Sequence, residues 1–255
     1  MVEIKNDAAL AAMREAGRVV AQALAAVREA AAVGVSLREL DGVAREVLAK
    51  AGATSPFLGY QPAFAPVPFP GVICTSVNDA VVHGVPTDYR LRDGDLLGVD
   101  CGALLDGWAG DAAITFSVGT PRPGDTELVA ATQRALDAGI AAAVVGNRTG
   151  DISHAVESAA TAAGCGMPAD LGGHGIGRQM HEEPHLPNHG RPGRGLRLRH
   201  GLVLAIEPML MAGGGVDYRT APDGWTLLTT DGSRAAHIEH TVAITDAGPQ
   251  ILTAL

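Results

Sequence analysis

The chain has 255 residues, and its 47% apolar content is enough to bury one sizeable core. Its 28 acidic and 19 basic residues give a formal charge of −9, and this acidity, with no basic run, argues against nucleic acid or an anionic membrane as the main partner. Three cysteines, no signal sequence and no long apolar segment exclude a disulfide scaffold and a membrane span, so we expect a soluble cytoplasmic protein.

The first half of the chain is predicted to form two helices followed by strands. Up to about Gly52 the apolar pattern is helical, with Asp7 as a cap of the first helix and a capping box of Ser36 and Glu39 at the start of the second. Prolines exclude a regular element at residues 53–71. Strands are then predicted at residues 72–76, 96–101 and 108–118.

The second half repeats this order of elements. We predict helices at about residues 125–145 and 151–163, then a loop rich in glycine, histidine and proline at 172–200, then strands at 202–206 and 237–244. Because no linker separates the halves, residues 1–255 are expected to form one α/β domain.

The two halves also align at a constant offset. Gly34, Leu40 and Gly52 match Gly146, Ile152 and Gly164, each 112 residues later. Chance is the alternative explanation for three matched positions, but with the repeated order they indicate a duplicated unit. Such a unit would build a pseudo-symmetric cleft, which is a natural place for a functional site.

Two aspartates are predicted to share one face of a β-hairpin. Asp106-Gly107 between apolar runs indicates a two-residue turn, which sets residue 100 opposite residue 113. Asp100 and Asp111 then become diagonal neighbours, with backbones about 7–8 Å apart. A structural hydrogen bond or salt bridge is the alternative, but no Lys or Arg lies between Asp93 and Pro121. The pair therefore favours a bound metal ion.

Two glutamates and one histidine extend this acidic set. Glu207 ends an apolar strand that Pro208 interrupts, and Glu239 shares a strand face with His237 and Thr241. His174 lies in a glycine-rich turn, where glycine permits close approach of the backbone. Each glutamate taken singly is more often a surface residue at a strand end, so the argument depends on the combination.

One apparent zinc-protease motif is rejected. Residues 181–185 fit the pattern H-E-x-x-H, which requires both histidines on one face of a helix. Pro184 lies inside the required turn and would break that helix. His181 is therefore not predicted to be a ligand of such a site.

Four carboxylates and one imidazole are hard, oxygen-rich ligands. They suit manganese, iron or cobalt better than a structural zinc site built from thiolates. Such a set can hold two ions about 3.5–4 Å apart around a water, an arrangement used for hydrolysis.

The residues now in place resemble the type I bacterial methionine aminopeptidases along nearly the whole chain, from about residue 4 to 253. The resemblance is carried by the run Asn78 to Pro86, the aspartates eleven apart, Gly173 to Gly177 with His181, Glu207-Pro208 and Glu239-His240-Thr241. It implies a pita-bread fold, in which duplicated helix-helix-strand halves surround a dinuclear metal cleft. It also implies removal of the initiator methionine from nascent proteins that have a small second residue.

The resemblance further implies a role for each matched residue. Asp111 and Glu239 would bridge two divalent ions, Asp100 would bind one of them, and His174 with Glu207 the other. Cobalt, manganese and iron are the expected metals, with zinc or nickel as further candidates. Glu207 would also carry a proton, His181 would stabilise the tetrahedral intermediate, and His83 would contact substrate near the scissile bond.

A methionine pocket is implied between Cys74, Trp225 and an aromatic residue of the 60–69 loop. This loop is longer and richer in proline than the family pattern, so Tyr60, Phe64 and Phe69 remain alternatives for closing the pocket. Of these, Tyr60 and Phe69 are predicted to bind substrate. The expected partners are nascent polypeptide N-termini and, transiently, the ribosome, with no direct nucleic-acid or membrane contact and a monomeric state.

Two other functions remain open on the sequence. A prolidase or aminopeptidase P would carry a large extra N-terminal domain, for which these 255 residues leave no room. A metal-free binding protein of the same fold would be expected to have lost ligands, whereas all five positions carry them here.

Overall fold

The structure, a computed structural model, describes residues 2–63 and 65–255. Within them, the chain forms four helices and thirteen strands, and the order of two helices followed by strands occurs twice. The helices are α1 (Asp7–Ala30), α2 (Leu37–Lys50), α3 (Asp125–Ala142) and α4 (Thr149–Ala162). The strands are β1 (Ile73–Val77), β2 (Ala80–Val82), β3 (Asp95–Leu105), β4 (Trp108–Val118), β5 (Gly172–Gly175), β6 (Glu182–Pro187), β7 (Val203–Ile206), β8 (Met209–Met211), β9 (Tyr218–Thr220), β10 (Leu227–Thr229), β11 (Ala235–His237), β12 (Glu239–Thr245) and β13 (Gly248–Ile251).

The starts of the first two helices show one confirmed prediction and one that was wrong. At α2 the capping box is confirmed, since the Ser36 backbone N–H donates to the Glu39 carboxylate over 2.7 Å and the Glu39 N–H donates to Ser36 Oγ over 3.2 Å. At α1 the cap is Asn6, whose side chain accepts the Ala9 N–H over 2.9 Å, and Asp7 is the first helical residue. Asp7 instead places a negative charge in the first turn, where it interacts favourably with the positive end of the helix dipole.

The duplication is confirmed by the bounds of the helices. α2 and α4 begin at Leu37 and Thr149 and end at Lys50 and Ala162, so both ends are 112 residues apart. The matched glycines also adopt the same left-handed backbone, with φ of 92° at Gly34 and 98° at Gly146. Only glycine adopts this conformation without strain, which explains why these positions survived in both copies.

The main sheet is pseudo-symmetric in the same way. Its strands lie in the order β1-β3-β4-β12-β7-β5-β6, with β13 beside β12, so the two halves meet where β4 pairs with β12. Each half packs its own helix pair on the sheet, and Leu40 in α2 and Ile152 in α4, at matched positions, are both fully buried there. The sheet is thus a duplicated half-sheet joined at its middle.

Two segments differ from the predicted elements. The predicted loop at 172–200 contains the strands β5 and β6, whose glycines and prolines conceal the usual strand composition. The predicted strand at 237–244 is interrupted at Ile238, which separates β11 from β12. Residues 53–63 and 65–71 contain no helix or multi-residue strand, as the prolines there predict.

Within the described residues, no helix has the length and apolar character needed to cross a membrane.

Candidate active site

Five neighbouring strands bring the five predicted metal ligands together at the middle of the sheet. Read across the sheet from β3 through β4, β12 and β7 to β5, these residues are Asp100, Asp111, Glu239, Glu207 and His174, with Glu207 directly after the end of β7. Their positions in the sequence span 140 residues, yet they lie side by side in the sheet. The join between the two halves therefore collects all five predicted ligands.

The aspartate pair converges as the hairpin predicts. Residue 105 pairs with 108, 103 with 110 and 100 with 113, which is the predicted register. The turn residues Asp106 and Gly107 have φ of 51° and 74°, as a turn with two left-handed residues requires. Burial and the charges of Glu239 and Asp100 raise the pKa of Asp111, which is consistent with the convergence of the two aspartates.

The histidine and the remaining glutamates close the group. His174 Nε2 lies 3.5 Å from Glu207 Oε1 and 3.8 Å from Asp111 Oδ2. Asp111, His174 and Glu239 each offer one ligand atom within 4.8 Å of the others. His174 Nδ1 lies 2.9 Å from the Gly175 carbonyl oxygen, and a proton on Nδ1 would leave the Nε2 lone pair directed at the carboxylates.

Three observations fit this group to bound divalent cations. Asp100 Oδ1, Asp111 Oδ1 and Glu239 Oε1 are buried with no hydrogen-bond partner among the described residues. Among the described residues, the ion pairs formed by the carboxylates of this group are all with histidine, and none is with Lys or Arg. Buried carboxylates of this kind are costly until a cation compensates them, and four oxygen ligands with imidazole suit a hard or borderline metal.

The pKa values of the four carboxyls reflect their burial and their closeness to one another. Burial and the neighbouring carboxylates raise the pKa of Asp111 and of Glu239 well above their ordinary values. For Asp100, burial is the main cause that raises the pKa from 3.8 to about 6, partly offset by His237. Burial acts the same way on Glu207, but His237 and His174 outweigh it and lower the pKa of that carboxyl. Glu207 is therefore the member of the group held most firmly as a carboxylate.

The backbone around His174 requires glycine. A Cβ at Gly173 would lie 2.1 Å from the Ala205 carbonyl oxygen, and one at Gly175 would lie 2.2 Å from that of Glu183. Both separations are too short for real atoms, so only glycine lets β5 pass between β6 and β7. The glycines that flank His174 thus fix its depth in the site.

Two threonines hold β4 against the strands of the second half. Thr241 Oγ donates to the Asp111 carbonyl over 2.7 Å and accepts the Asp111 N–H over 3.0 Å. Thr115 Oγ donates to the His237 carbonyl over 2.7 Å and accepts the His237 N–H over 3.1 Å. Since β4 and β12 share two residue pairs, Glu239 with Ala113 and His240 with Ala112, these threonines supply further hydrogen bonds at the join.

Two further histidines border the ligand group. The His181 ring centroid lies 4.4 Å from that of His174. Because residues 182–187 form the strand β6, the rejection of a helical zinc-protease motif at 181–185 is confirmed. His83 has a left-handed backbone, with φ of 59°. Desolvation lowers the pKa of His83 and of His181 to about 4, so both imidazoles are neutral at pH 7.

An apolar pocket adjoins the ligands in a cavity of about 550 Å³ that all the predicted site residues line. Cys74 lies beside Asp100 on the neighbouring strand, and Phe69 packs edge-on against Trp225 with centroids 5.2 Å apart. Phe69 is buried at the base, whereas Tyr60 is 41% exposed at the rim, 5.6 Å from the His181 ring. Phe64 lies outside the described residues.

Sequence reasoning missed Phe57, which lines this cavity, and the contacts of His237 with two of the predicted ligands. Phe57 packs edge-on against Phe69 at a centroid distance of 6.4 Å, and it lies three residues before the 60–69 loop. His237 Nε2 lies 3.5 Å from Glu207 Oε2 and 3.8 Å from Glu239 Oε2. The alternation that placed His237 on the face of Glu239 was the available signal for this contact.

The comparisons with known proteins agree with this geometry. A family model described as metallopeptidase family M24 matches residues 11–246. A relative from Mycobacterium tuberculosis (strain CDC 1551 / Oshkosh), named methionine aminopeptidase 1, is 53% identical over 260 residues, covering 99% of this chain and 95% of the relative. The crystal structure of methionine aminopeptidase from Thermotoga maritima has a TM-score of 0.95 and 39% identity, with 100% of both chains covered.

A third comparison shows how widely the fold is shared. Prolidase from Pyrococcus furiosus superimposes with a TM-score of 0.76 at 24% identity, covering 99% of this chain but 65% of the prolidase. This likeness is one of fold alone, the pita-bread fold. The full-length match to enzymes of 39% and 53% identity carries the assignment: the chain belongs to metallopeptidase family M24 and, within it, to the methionine aminopeptidases, hydrolases that remove an N-terminal methionine.

Proposed function

We propose that this chain removes the initiator methionine from nascent polypeptides whose second residue is small, by attack of an activated water on the first peptide bond. The observation that carries the proposal is the meeting of two features in one cavity. A group of buried carboxylates and imidazole lies at one side, and an aromatic pocket that includes Phe69, Cys74 and Trp225 lies at the other. An unbranched, polarisable methionine side chain suits such a pocket.

Two divalent ions would be held by Asp100, Asp111, His174, Glu207 and Glu239, with Asp111 and Glu239 as bridging ligands. When bound, such ions lower the pKa of a water and polarise the scissile carbonyl. Cobalt, manganese and iron fit the donor set, and zinc and nickel are further candidates.

Glu207 is the proposed proton carrier of the reaction. Its lowered pKa keeps it ionised at neutral pH, so it can accept a proton from the attacking water and pass it to the leaving amine. Its carboxylate lies between His174 and His237, which limits its rotation.

His181 and His83 are proposed to contact the substrate. Because both imidazoles are neutral, each can donate one hydrogen bond without adding positive charge beside the metal ions. His181 would donate to the oxygen that becomes negative during attack, and His83 would hold the substrate near the scissile bond.

The crowded mouth of the cavity supports the proposed preference for a small second residue. The Tyr60 ring lies 5.6 Å from His181 and 6.4 Å from Trp225, so three rings cluster at the open side. A long side chain next to the scissile bond would collide with this cluster. Cytoplasmic location, a monomeric state and transient contact with the ribosome, without nucleic-acid or membrane binding, complete the proposal.

A peptide series tests this function directly. We expect metal-loaded protein to release methionine from Met-Ala-x and Met-Gly-x, and far more slowly from Met-Leu-x. Cleavage of Pro-containing dipeptides without release of methionine would contradict the proposal and favour a prolidase activity. A folded protein that bound no manganese, iron or cobalt would favour a binding role instead.

A further inference from the structure

We propose that His237 is a sixth protein ligand of the metal centre and coordinates, through Nε2, the ion that Glu207 holds. The inference rests on the metal centre of the proposed function and adds to it a residue that the family resemblance does not supply. Within the described residues, Glu207, His237 and Glu239 form a second group whose ligand atoms lie within 4.8 Å of one another.

The distances around His237 repeat those around His174. His174 Nε2 lies 3.5 Å from Glu207 Oε1 and 3.8 Å from Asp111 Oδ2. His237 Nε2 lies 3.5 Å from Glu207 Oε2 and 3.8 Å from Glu239 Oε2. Two donors on one ion, each about 2.1 Å from it, lie roughly 3.0–3.4 Å apart, so both histidines need only a small adjustment to bind. The carboxylate of Glu207 thus has an imidazole at each oxygen.

The imidazole of His237 is buried, and its Nε2 atom requires a partner. The residue is 5% exposed, and Nε2 has no hydrogen-bond partner in the part of the chain that is described. A buried polar atom in that condition destabilises the fold until a partner is supplied. Oxygens of Asp100, Asp111 and Glu239 share the condition, and the two cations of the proposed function would together satisfy all four atoms.

The backbone of His237 is held in place independently of any metal. Its N–H and carbonyl both bond Thr115 Oγ, over 3.1 and 2.7 Å, and it pairs with Met209, two residues after Glu207. The imidazole is therefore presented from a rigid position, as a ligand should be.

The competing explanation is that His237 only orients Glu207 by donating an Nε2 proton to its carboxylate. The 3.5 Å separation is longer than the 2.7–3.2 Å of an ordinary N–H···O bond, which weakens this explanation. Substitution distinguishes the two roles. His237→Gln keeps an N–H donor of similar reach but is a poor ligand, whereas His237→Leu removes both functions.

The test uses the full chain loaded with cobalt(II). Each coordinated imidazole gives one solvent-exchangeable, paramagnetically shifted N–H proton in the NMR spectrum. We expect two such resonances in the wild type, and one in each of His237→Gln, His237→Leu and His174→Gln. We also expect manganese affinity, measured by calorimetry, to fall at least about tenfold in both His237 variants. His240→Gln is the matched control, because His240 belongs to the same segment but bonds Thr253, and it should keep both resonances.

The outcomes distinguish a failure of His237 ligation from a failure of the proposed metal centre. One resonance in the wild type, with manganese affinity retained in His237→Gln and lost in His237→Leu, would show an orienting role and overturn ligation. Unchanged spectra in both His237 variants would also overturn it. If His174→Gln kept the wild-type spectrum as well, the metal centre of the proposed function would itself be wrong. Circular dichroism of each metal-free variant checks that it is folded.

Discussion

Individual residues at the join of the two halves carry charge that the protein does not neutralise by itself. Asp111 is the clearest case, since its side chain is 5% exposed and its buried Oδ1 has no partner among the described residues. Such a group destabilises the metal-free fold and becomes favourable when a cation is bound. The same carboxylate should therefore limit stability and enable function.

Asp111→Asn tests whether this carboxylate both destabilises the metal-free fold and supports catalysis. We expect kcat to fall by more than the roughly 10–100-fold loss that follows removal of an outer partner of a metal ligand, because a neutral amide is a poor bridging ligand. We also expect the metal-free variant to melt about 2–4 °C higher, as a gain on the order of 1 kcal/mol gives in a chain of this size. Thermal melts and assays with Met-Ala-x measure both effects.

Asp106→Asn is the control for that experiment, because Asp106 lies exposed in the turn of the same hairpin and asparagine tolerates its left-handed backbone. It should leave activity and melting temperature unchanged. Near-normal turnover in Asp111→Asn would contradict the two-metal site, and a large loss of metal-free stability would indicate a structural salt bridge instead.

His181→Ala tests the separation of substrate contact from metal binding. Removal of one donor to a developing oxyanion costs about 10²–10³-fold in kcat, and we expect a loss of that size. The metal content should stay at the wild-type value, because the proposed ligands are intact. Metal analysis beside steady-state kinetics measures both, and loss of the metals would mean that His181 is itself a ligand.

At the scale of elements, the join between β4 and β12 positions the ligands of both halves. Thr241 bonds both the N–H and the carbonyl of Asp111, so it fixes the distance between the strands that carry Asp111 and Glu239. The sequence contains no local signal for this contact, because Thr241 and Asp111 are 130 residues apart.

Thr241→Val is expected to weaken metal binding as well as stability. The loss of two hydrogen bonds should cost on the order of 1–3 kcal/mol, and the freed strand should lower manganese affinity by a measurable factor. Thr245→Val is the matched control, since Thr245 lies on the same strand and donates to Gly248 away from the site. Calorimetric titration of both variants is the measurement, and equal metal affinities in the two would refute a positioning role for Thr241.

The hairpin was predictable and the β5–β6 pair was not, for a clear physical reason. Asp106-Gly107 determines its own turn and therefore the register of β3 and β4, and the 112-residue offset identified the duplicated helices. β5 consists of glycines around His174 and is a strand because it pairs with β6 on one side and β7 on the other. Contacts of that kind depend on the tertiary fold, as does the approach of His237 to Glu207.

At the scale of the whole molecule, the site makes stability depend on pH and metal together. The pKa of Asp100 is raised to about 6, and those of Asp111 and Glu239 are also raised, so these three carboxyls bind more protons in the folded metal-free protein than in the unfolded chain. Their contribution to stability is lost as pH rises from about 4 through about 6, whereas His83 and His181, whose pKa values are lowered to about 4, contribute stability that increases over about pH 4 to 6.5. Carboxyls with lowered pKa values, such as Glu182 and Asp151, have the opposite effect, but mainly below about pH 4.5.

We therefore expect added manganese to raise the melting temperature more at about pH 7 than at about pH 5. Metal binding requires the deprotonated carboxylates, and a ligand that binds the folded state alone stabilises that state more when it binds more tightly. Calorimetric melts with and without metal at both pH values measure the difference. An equal metal effect at the two pH values would show that these carboxylates do not bind the ions.

The most direct test of the central claim is a crystal structure of the manganese-loaded protein with anomalous scattering data. The account predicts two anomalous peaks about 3.5–4 Å apart in the space between Asp100, Asp111, His174, Glu207 and Glu239. Absence of metal from that space, or occupation of a different part of the molecule, would contradict it.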